Sequence, residues 1–207
     1  MDHNASRETG ASMGIVNLVS GGVDSTLIGM MAKEEGLNVH PLFIDYGQRA
    51  GKIEWEACLH LHKKFKLPSP VKMDLSGYGR IISSGLTSIE KDVVSEAFTP
   101  GRNLMFLVMA GAFAVKVGAS SVYIGLLNEK FSLFPDQSQD FVAKSESAIG
   151  AAMGRKIRVV APLSSFSKTD VLALARARGL SETYSCHMGT KDPCGVCISC
   201  KEIINSQ

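Results

Sequence analysis

Residues 18–27, LVSGGVDSTL, constrain the fold more than any other stretch of the chain. The apolar run 14–20 reads as a strand, it ends on two adjacent glycines, and residues 24–35 carry the spacing of a helix. Gly21 and Gly22 lack Cβ atoms, so the chain can turn sharply and bring backbone N–H groups close to an anion. The helix that follows adds the positive end of its dipole at the same point. Ser20, Ser25 and Thr26 supply hydroxyls. The pattern has neither the Gly-Lys-Ser/Thr ending of a Walker A loop nor the spacing of a GxGxxG dinucleotide turn. Such a turn belongs at the carboxyl edge of an open α/β sheet, where these sheets bind ligands.

The remaining chain keeps that alternation. Strands are predicted over 37–46, 70–75, 121–127 and 156–163, and helices over 52–65 and 168–178, the last with a capping pair in Ser167 and Asp170. A loop containing Gly77, Gly79 and Gly85 precedes a buried helix after Arg102. Unbroken apolar strands between helices predict a doubly wound, mostly parallel sheet of about five strands, covered on both faces. The helix core 104–117, LMFLVMAGAFAVKV, is shorter than the roughly 20 apolar residues of a membrane span. The formal charge of +2 with no basic run gives no electrostatic footprint for a nucleic acid. Residues 1–12 are polar, lack the apolar core of a signal peptide, and are read as a disordered leader before a domain over 13–183. A cytoplasmic, reducing setting is the expectation.

From residue 184 the composition changes to Cys, Gly and Pro, which marks a small module over 184–207. Four of the five cysteines lie in CHMGTKDPCGVCISC: Cys186, Cys194, Cys197 and Cys200. Two overlapping C-x-x-C steps and one upstream Cys supply the four thiolates of a closed tetrahedral structural zinc site. Disulfides or an iron–sulfur cluster would use the same sulfurs, and His187 competes as a ligand. Metal binding would be folding energy for a tail with little apolar material of its own. Cys58, in the helical run around Trp55, reads as a small core residue.

The turn resembles the SGGxDS pyrophosphate loop of the ATP pyrophosphatases, which split ATP between its α and β phosphates. With SGGVDST at 20–26, DYGQR at 45–49, PGRN at 100–103, APLSSFSKTD at 161–170 and the cysteine spacing, the chain resembles the 7-cyano-7-deazaguanine synthase (QueC) family. The resemblance runs over nearly all of the chain from Gly14. It implies conversion of 7-carboxy-7-deazaguanine, through an adenylate and an amide, to the nitrile, with ammonia as nitrogen source. It implies ATP held by Ser20, Gly21, Gly22, Val23, Asp24, Ser25 and Thr26, with magnesium on the phosphates and Asp24 as its ligand or organiser. Asp45, Gln48 and Arg49 are the implied adenosine contacts. Asn103 either bonds the nucleotide or caps its helix. Lys168 and Arg102 neutralise developing charge or are solvated surface cations. The family also implies one structural Zn2+ and a homodimer, with no direct nucleic-acid or membrane partner.

The chain departs from the family at 132–140. Where the family carries an SGYPDCR-like segment, this chain has SLFPDQSQD. Asp136 remains and suits the N–H donors of a guanine-like edge, while Phe134 either stacks on the base or is core. Gln137 and Ser138 replace the cysteine and arginine, and Glu129 and Lys130 break the preceding polar pattern. Three further readings follow: an enzyme that attaches the activated deazaguanine to a macromolecular amine, a zinc-dependent nucleic-acid-binding module, and sulfur insertion into tRNA. The last wants a reactive cysteine near the loop, and the cysteines here look committed to metal.

Overall fold

The computed structural model describes residues 14–206, and the leader 1–12 lies outside the described residues. Five strands form one sheet: β1 (Gly14–Val19), β2 (Asn38–Asp45), β3 (Val71–Asp74), β4 (Ser121–Tyr123) and β5 (Arg158–Val160). Their order is β3-β2-β1-β4-β5, and every pairing is parallel. The register aligns Ile15 with Val39 on one side of β1 and with Ser121 on the other.

Side chains alternate across β1, as the two-residue period of a strand requires. Val16 and Leu18 join Leu107, Ala110 and Ala114 of α4 (Arg102–Val117) and Ile149 of α5 (Gln139–Met153) in the larger core cluster. Ile15 and Val19 face the opposite side, where α1 (Val23–Glu34) and α2 (Gly51–Lys64) pack. There Leu27 and Ile28 meet Leu61 and the α6 (Lys168–Ala177) residues Val171 and Ala175. Both faces are therefore covered, as the unbroken apolar strands predicted. Truncating a fully buried side chain such as Leu107 to alanine would cost about 2–5 kcal/mol. Asn17, fully buried among these residues, donates from Nδ2 to Ser25 O at 3.0 Å and ties the sheet to the first turn of α1.

Several elements differ from the expectation. Only Ser121–Tyr123 of the strand predicted over 121–127 pairs in the sheet, and the chain then leaves it to run along the carboxyl edge. The expected glycine loop opens with a short helix, α3 (Ser76–Ile81), fixed by Leu75 N to Asp45 O at 2.6 Å and Gly79 N to Tyr46 O at 2.9 Å. Helix α5 has no counterpart among the predicted elements. Its buried strip is thin, Val142, Ser145 and Ile149, and one of the three is polar. Helix α7 (Ile198–Ile204) completes the C-terminal segment. Among the described residues no helix is long and apolar enough to cross a membrane.

The chain winds from β1 to β2 and β3 on one side, then returns through α4 to place β4 on the other side of β1. The winding direction therefore switches between β1 and β4, and the carboxyl ends of those two strands frame a crevice.

Candidate active site

A cavity of about 270 Å³ fills that crevice. Its walls come from the end of β1 (Ser20, Gly22), the start of α1 (Asp24, Ser25), the end of β2 (Tyr46), the start of α4 (Arg102, Asn103) and the run after β4 (Gly125). The turn at its floor is built from backbone and short hydroxyls. Ser25 Oγ accepts from Ser20 N at 3.2 Å, Ser20 Oγ accepts from Gly22 N at 3.3 Å, and Thr26 Oγ1 donates to Gly22 O at 2.8 Å. Gly21 sits at φ 78°, the left-handed region, and a Cβ there would lie 2.6 Å from Glu54 O. Only glycine lets α2 come that close. No side chain caps α1 at Gly22, so its first N–H groups remain for an outside acceptor. Val23 and Thr26 are buried scaffold of the turn, whereas Ser20, Gly22, Asp24 and Ser25 line the cavity.

Lys168, the first residue of α6, comes from 144 positions away to place Nζ 2.9 and 2.8 Å from the two oxygens of Asp24. Their side chains are only 11% and 27% exposed, so the pair is less screened than a surface pair. The Ser167–Asp170 capping box fixes the helix end that carries Lys168. Arg102 follows Gly101 at the start of α4 and stands 5.8 Å from the Tyr46 ring centroid and 5.9 Å from that of Phe106. Asn103 is buried beside it and donates from Nδ2 to Asp136 O at 2.9 Å, which ties the rim to α4.

The three residues expected near adenosine separate. Gln48 lines the cavity, accepts from Tyr46 N at 2.9 Å and donates from Nε2 to Glu54 Oε2 at 2.9 Å. Asp45 accepts from Gly47 N at 3.1 Å and pairs with Lys72 at 2.8 Å, away from the cavity lining. Arg49 is a strut, donating to Gly85 O and Ser88 O at 3.2 and 3.4 Å and reaching Met188 Sδ at 3.2 Å.

The rim segment is tied to itself. Gln137 Oε1 accepts from Leu133 N at 2.9 Å and Phe134 N at 3.0 Å, and Ser138 Oγ caps α5 by accepting from Phe141 N at 3.1 Å. Phe134 packs on Phe98, with ring centroids 5.2 Å apart, and faces a smaller cavity that also meets Arg102 and Lys168. Asp136 is buried under the rim and does not line these cavities, and among the described residues its Oδ1 has no hydrogen-bond partner. A third cavity, about 570 Å³, opens between exposed Phe131 and Leu133, the start of α6 and Glu202 of α7, and meets the first at Asp24 and Gln137.

Residues outside the expected set also line the main cavity. Glu54, in the first turn of α2, is pushed up to about 7, chiefly by burial; the Gln48 hydrogen bond and the Arg102 charge pull against it. His187 is held down to about 4 by burial and by Arg102. The sequence signal for Glu54 was its place in the first turn of a helix six residues after Gln48, a pattern common in ordinary helices.

The C-terminal segment closes over the turn. Tyr184 N donates to Gly21 O at 3.0 Å, and Cys186, Cys197 and Cys200 are buried in one cluster with Leu86, Val93 and Ala97. The four sulfurs of Cys186, Cys194, Cys197 and Cys200 lie within 4.8 Å of one another. Tetrahedral zinc with Zn–S of about 2.3 Å sets sulfurs about 3.8 Å apart. Backbone N–H groups of Cys194, Cys197 and Cys200 point at sulfurs at 3.4–3.5 Å. The cluster can therefore hold such an ion with small adjustment. Cys58, packed against Val19, Phe43 and Trp55, is pushed up to about 12 by burial, which makes it inert at neutral pH.

Known proteins resemble this chain in sequence and in fold. The sequence model of "Queuosine biosynthesis protein QueC" matches residues 14–204. The 7-cyano-7-deazaguanine synthase of Campylobacter curvus is 34% identical, over 90% of this chain and 89% of its own. Those of Campylobacter concisus and Acetivibrio thermocellus are each 33% identical over at least 88% of both chains. In fold, the chain is similar to a 4-thiouridine synthetase crystallised with RNA and bound ATP, with a TM-score of 0.54 and 18% identity. That alignment takes in 94% of this chain and 49% of the synthetase. A glycine turn at the switch point, a paired Asp24 and Lys168, and relatives alike over nine-tenths of the chain lead to one assignment: this chain belongs to the QueC family of ATP-dependent, ligase-type enzymes.

Proposed function

We propose that the chain activates the carboxylate of 7-carboxy-7-deazaguanine with ATP, forms the amide with ammonia, and dehydrates the amide to 7-cyano-7-deazaguanine. The observation that carries this reading is the Asp24–Lys168 pair beside a backbone-built turn, at the carboxyl edge of the sheet. A carboxylate is a poor electrophile because hydroxide leaves badly, and transfer to the α phosphorus of ATP turns that oxygen into part of a phosphate leaving group. On this reading the turn's N–H groups and the Lys168 and Arg102 cations at the cavity walls stabilise charge that grows on the departing pyrophosphate. Magnesium, when bound, neutralises phosphate charge. Asp24 is the carboxylate this part of the cavity offers it, with Lys168 as the competing partner. Zinc on the four cysteines would hold His187 and Glu202 in the cavity walls and Tyr184 against the turn.

The test is incubation with ATP, the carboxy-deazaguanine and 15N-ammonium, with mass detection of nitrile, AMP and pyrophosphate. Nitrile carrying one 15N is expected, and Lys168→Ala is expected to slow its formation about 10²-fold or more. Absence of the nitrile overturns the reading.

A second reading has its own support. In place of the family's cysteine and arginine, Gln137 is spent on its own loop and Ser138 on capping α5. The cavity of about 570 Å³ beyond them far exceeds ammonia, which occupies roughly the 30 Å³ of a water molecule. On this reading a macromolecular amine takes the activated carboxylate. Amide without nitrile, or a deazaguanine mass added to a partner, would favour it.

A further inference from the structure

We propose that Glu54 is the proton acceptor of this site: its carboxylate takes the N–H proton released as nitrogen bonds to the activated carbon, and again as the amide is dehydrated. The inference rests on the functional reading above and assigns a role that the turn, Lys168 and Arg102 leave open.

The chemistry requires such a group. When ammonia displaces AMP from the acyl adenylate, a C–N bond forms, a C–O bond breaks, and one proton must leave nitrogen. When the amide oxygen displaces pyrophosphate from a second ATP, nitrogen sheds a proton to give the neutral imidate. It sheds another as AMP departs with the C–O electron pair and the nitrile forms. Lys168 and Arg102, as cations, cannot accept protons. Among the described residues two carboxylates line the main cavity, Asp24 and Glu54. The His187 imidazole beside them, held down to about 4 by burial and Arg102, is a far weaker base than Glu54. Asp24 has both oxygens engaged by Lys168. Among the described residues the Glu54 carboxylate has one hydrogen-bond partner, the amide of Gln48, whose own oxygen is fixed by Tyr46 N.

Position and basicity agree with the role. The backbone of Glu54 abuts Gly21, so its side chain is carried by the element that braces the phosphate turn. The groups facing it are Arg102 from α4, Asp45 and Tyr46 from the end of β2, Cys58 from the next turn of α2, and Tyr184 from the C-terminal segment. Burial outweighs Gln48 and Arg102 and brings the carboxyl up to about 7. A base works best when its conjugate acid titrates near the working pH. An ordinary glutamate would be too weak a base by more than two pH units.

The experiment compares wild type, Glu54→Gln and Glu54→Asp in the full chain. It measures pyrophosphate release without ammonium, and amide plus nitrile formation with saturating ammonium, from pH 5.5 to 9. For the wild type, nitrogen incorporation should rise with pH and level off above a midpoint near that of Glu54. Glu54→Gln, which keeps size and a hydrogen-bonding oxygen for Gln48, should still release pyrophosphate but lose about 10²-fold or more of nitrogen incorporation, with the rising limb gone. Glu54→Asp should restore part of the rate with a displaced limb. A Glu54→Gln enzyme that keeps the wild-type limb, or loses pyrophosphate release and nitrogen incorporation in equal measure, overturns the proton-acceptor role and leaves the functional reading standing. A wild type that yields neither amide nor nitrile overturns both.

Discussion

The turn after β1 and the four-cysteine corner above it hold their shapes with different parts of the chain. At the turn the work is done by backbone: Gly21 at φ 78°, open N–H groups at the start of α1, and hydroxyls that bond the turn to itself. At the corner it is done by four side chains converging within 4.8 Å, in a segment with little regular structure apart from the seven residues of α7. They meet at Tyr184 N and Gly21 O. A backbone-built site is sensitive to a Cβ added where backbone already makes contact, as at Gly21, and indifferent to many side-chain changes. A side-chain-built site fails when one ligand is lost and tolerates change between ligands.

Cys197→Ser should separate the two most sharply. Cys197 is fully buried, and structural zinc in small peptides is worth about 10–16 kcal/mol of folding free energy, comparable to the whole stability of a domain. Loss of bound metal, protease sensitivity over 184–204 and loss of product formation are expected, and chelation of the wild type should reproduce them reversibly. A Cys197→Ser protein that keeps its melting temperature would show that the corner is held by packing alone.

Gly21→Ala comes next. The new Cβ meets Glu54 O at 2.6 Å and Cys58 N at 2.9 Å, both backbone, in a left-handed conformation. The expected cost is about 3 kcal/mol or more, read in urea denaturation, together with loss of nucleotide binding by calorimetry.

The pH dependence of stability probes the contact between α2 and the turn. Glu54 titrates near 7 in the fold against an ordinary value of 4.5. The folded state thus holds its proton more tightly, so this group's stabilising contribution is complete below about pH 4.5 and is lost as pH rises through about 7. The whole effect is about 3 kcal/mol. Glu54→Gln should remove that slope, and the wild-type-minus-variant difference in unfolding free energy between pH 5 and 8 measures it.

Gly22→Ala is the smallest of these effects. A Cβ there meets first the Ser20 hydroxyl at 3.3 Å, which can rotate, so stability should change by less than about 1 kcal/mol. Nucleotide affinity should fall more than stability does, because Gly22 lines the cavity and the added methyl presses on the Ser20 hydroxyl that accepts from Gly22 N.

Legibility in the sequence followed the range of the interactions. SGGVDST could be read because a glycine turn between strand and helix is a local arrangement, settled within seven residues. The parallel sheet could be read from apolar runs of strand length. Helix α5 was missed because its buried strip is a valine, a serine and an isoleucine, too weak a period to stand out. Asp45 and Arg49 show the limit of carrying roles along the chain. They flank Gln48 closely, yet their side chains turn to Lys72 and to the 85–88 loop, while only Gln48 lines the cavity.

By itself, the sequence determined the strand alternation, the glycine turn and the four-cysteine spacing, because each depends on residue type and short spacing. The tertiary structure alone decided that Lys168 grips Asp24 across 144 residues, that Gln137 is bound to its own loop, and that Glu54 titrates near neutrality. The reason is physical: pairing at long range and the removal of water from a carboxylate are properties of the atoms that enclose a group, and those atoms arrive from α4, α6 and the C-terminal segment only when the chain has folded.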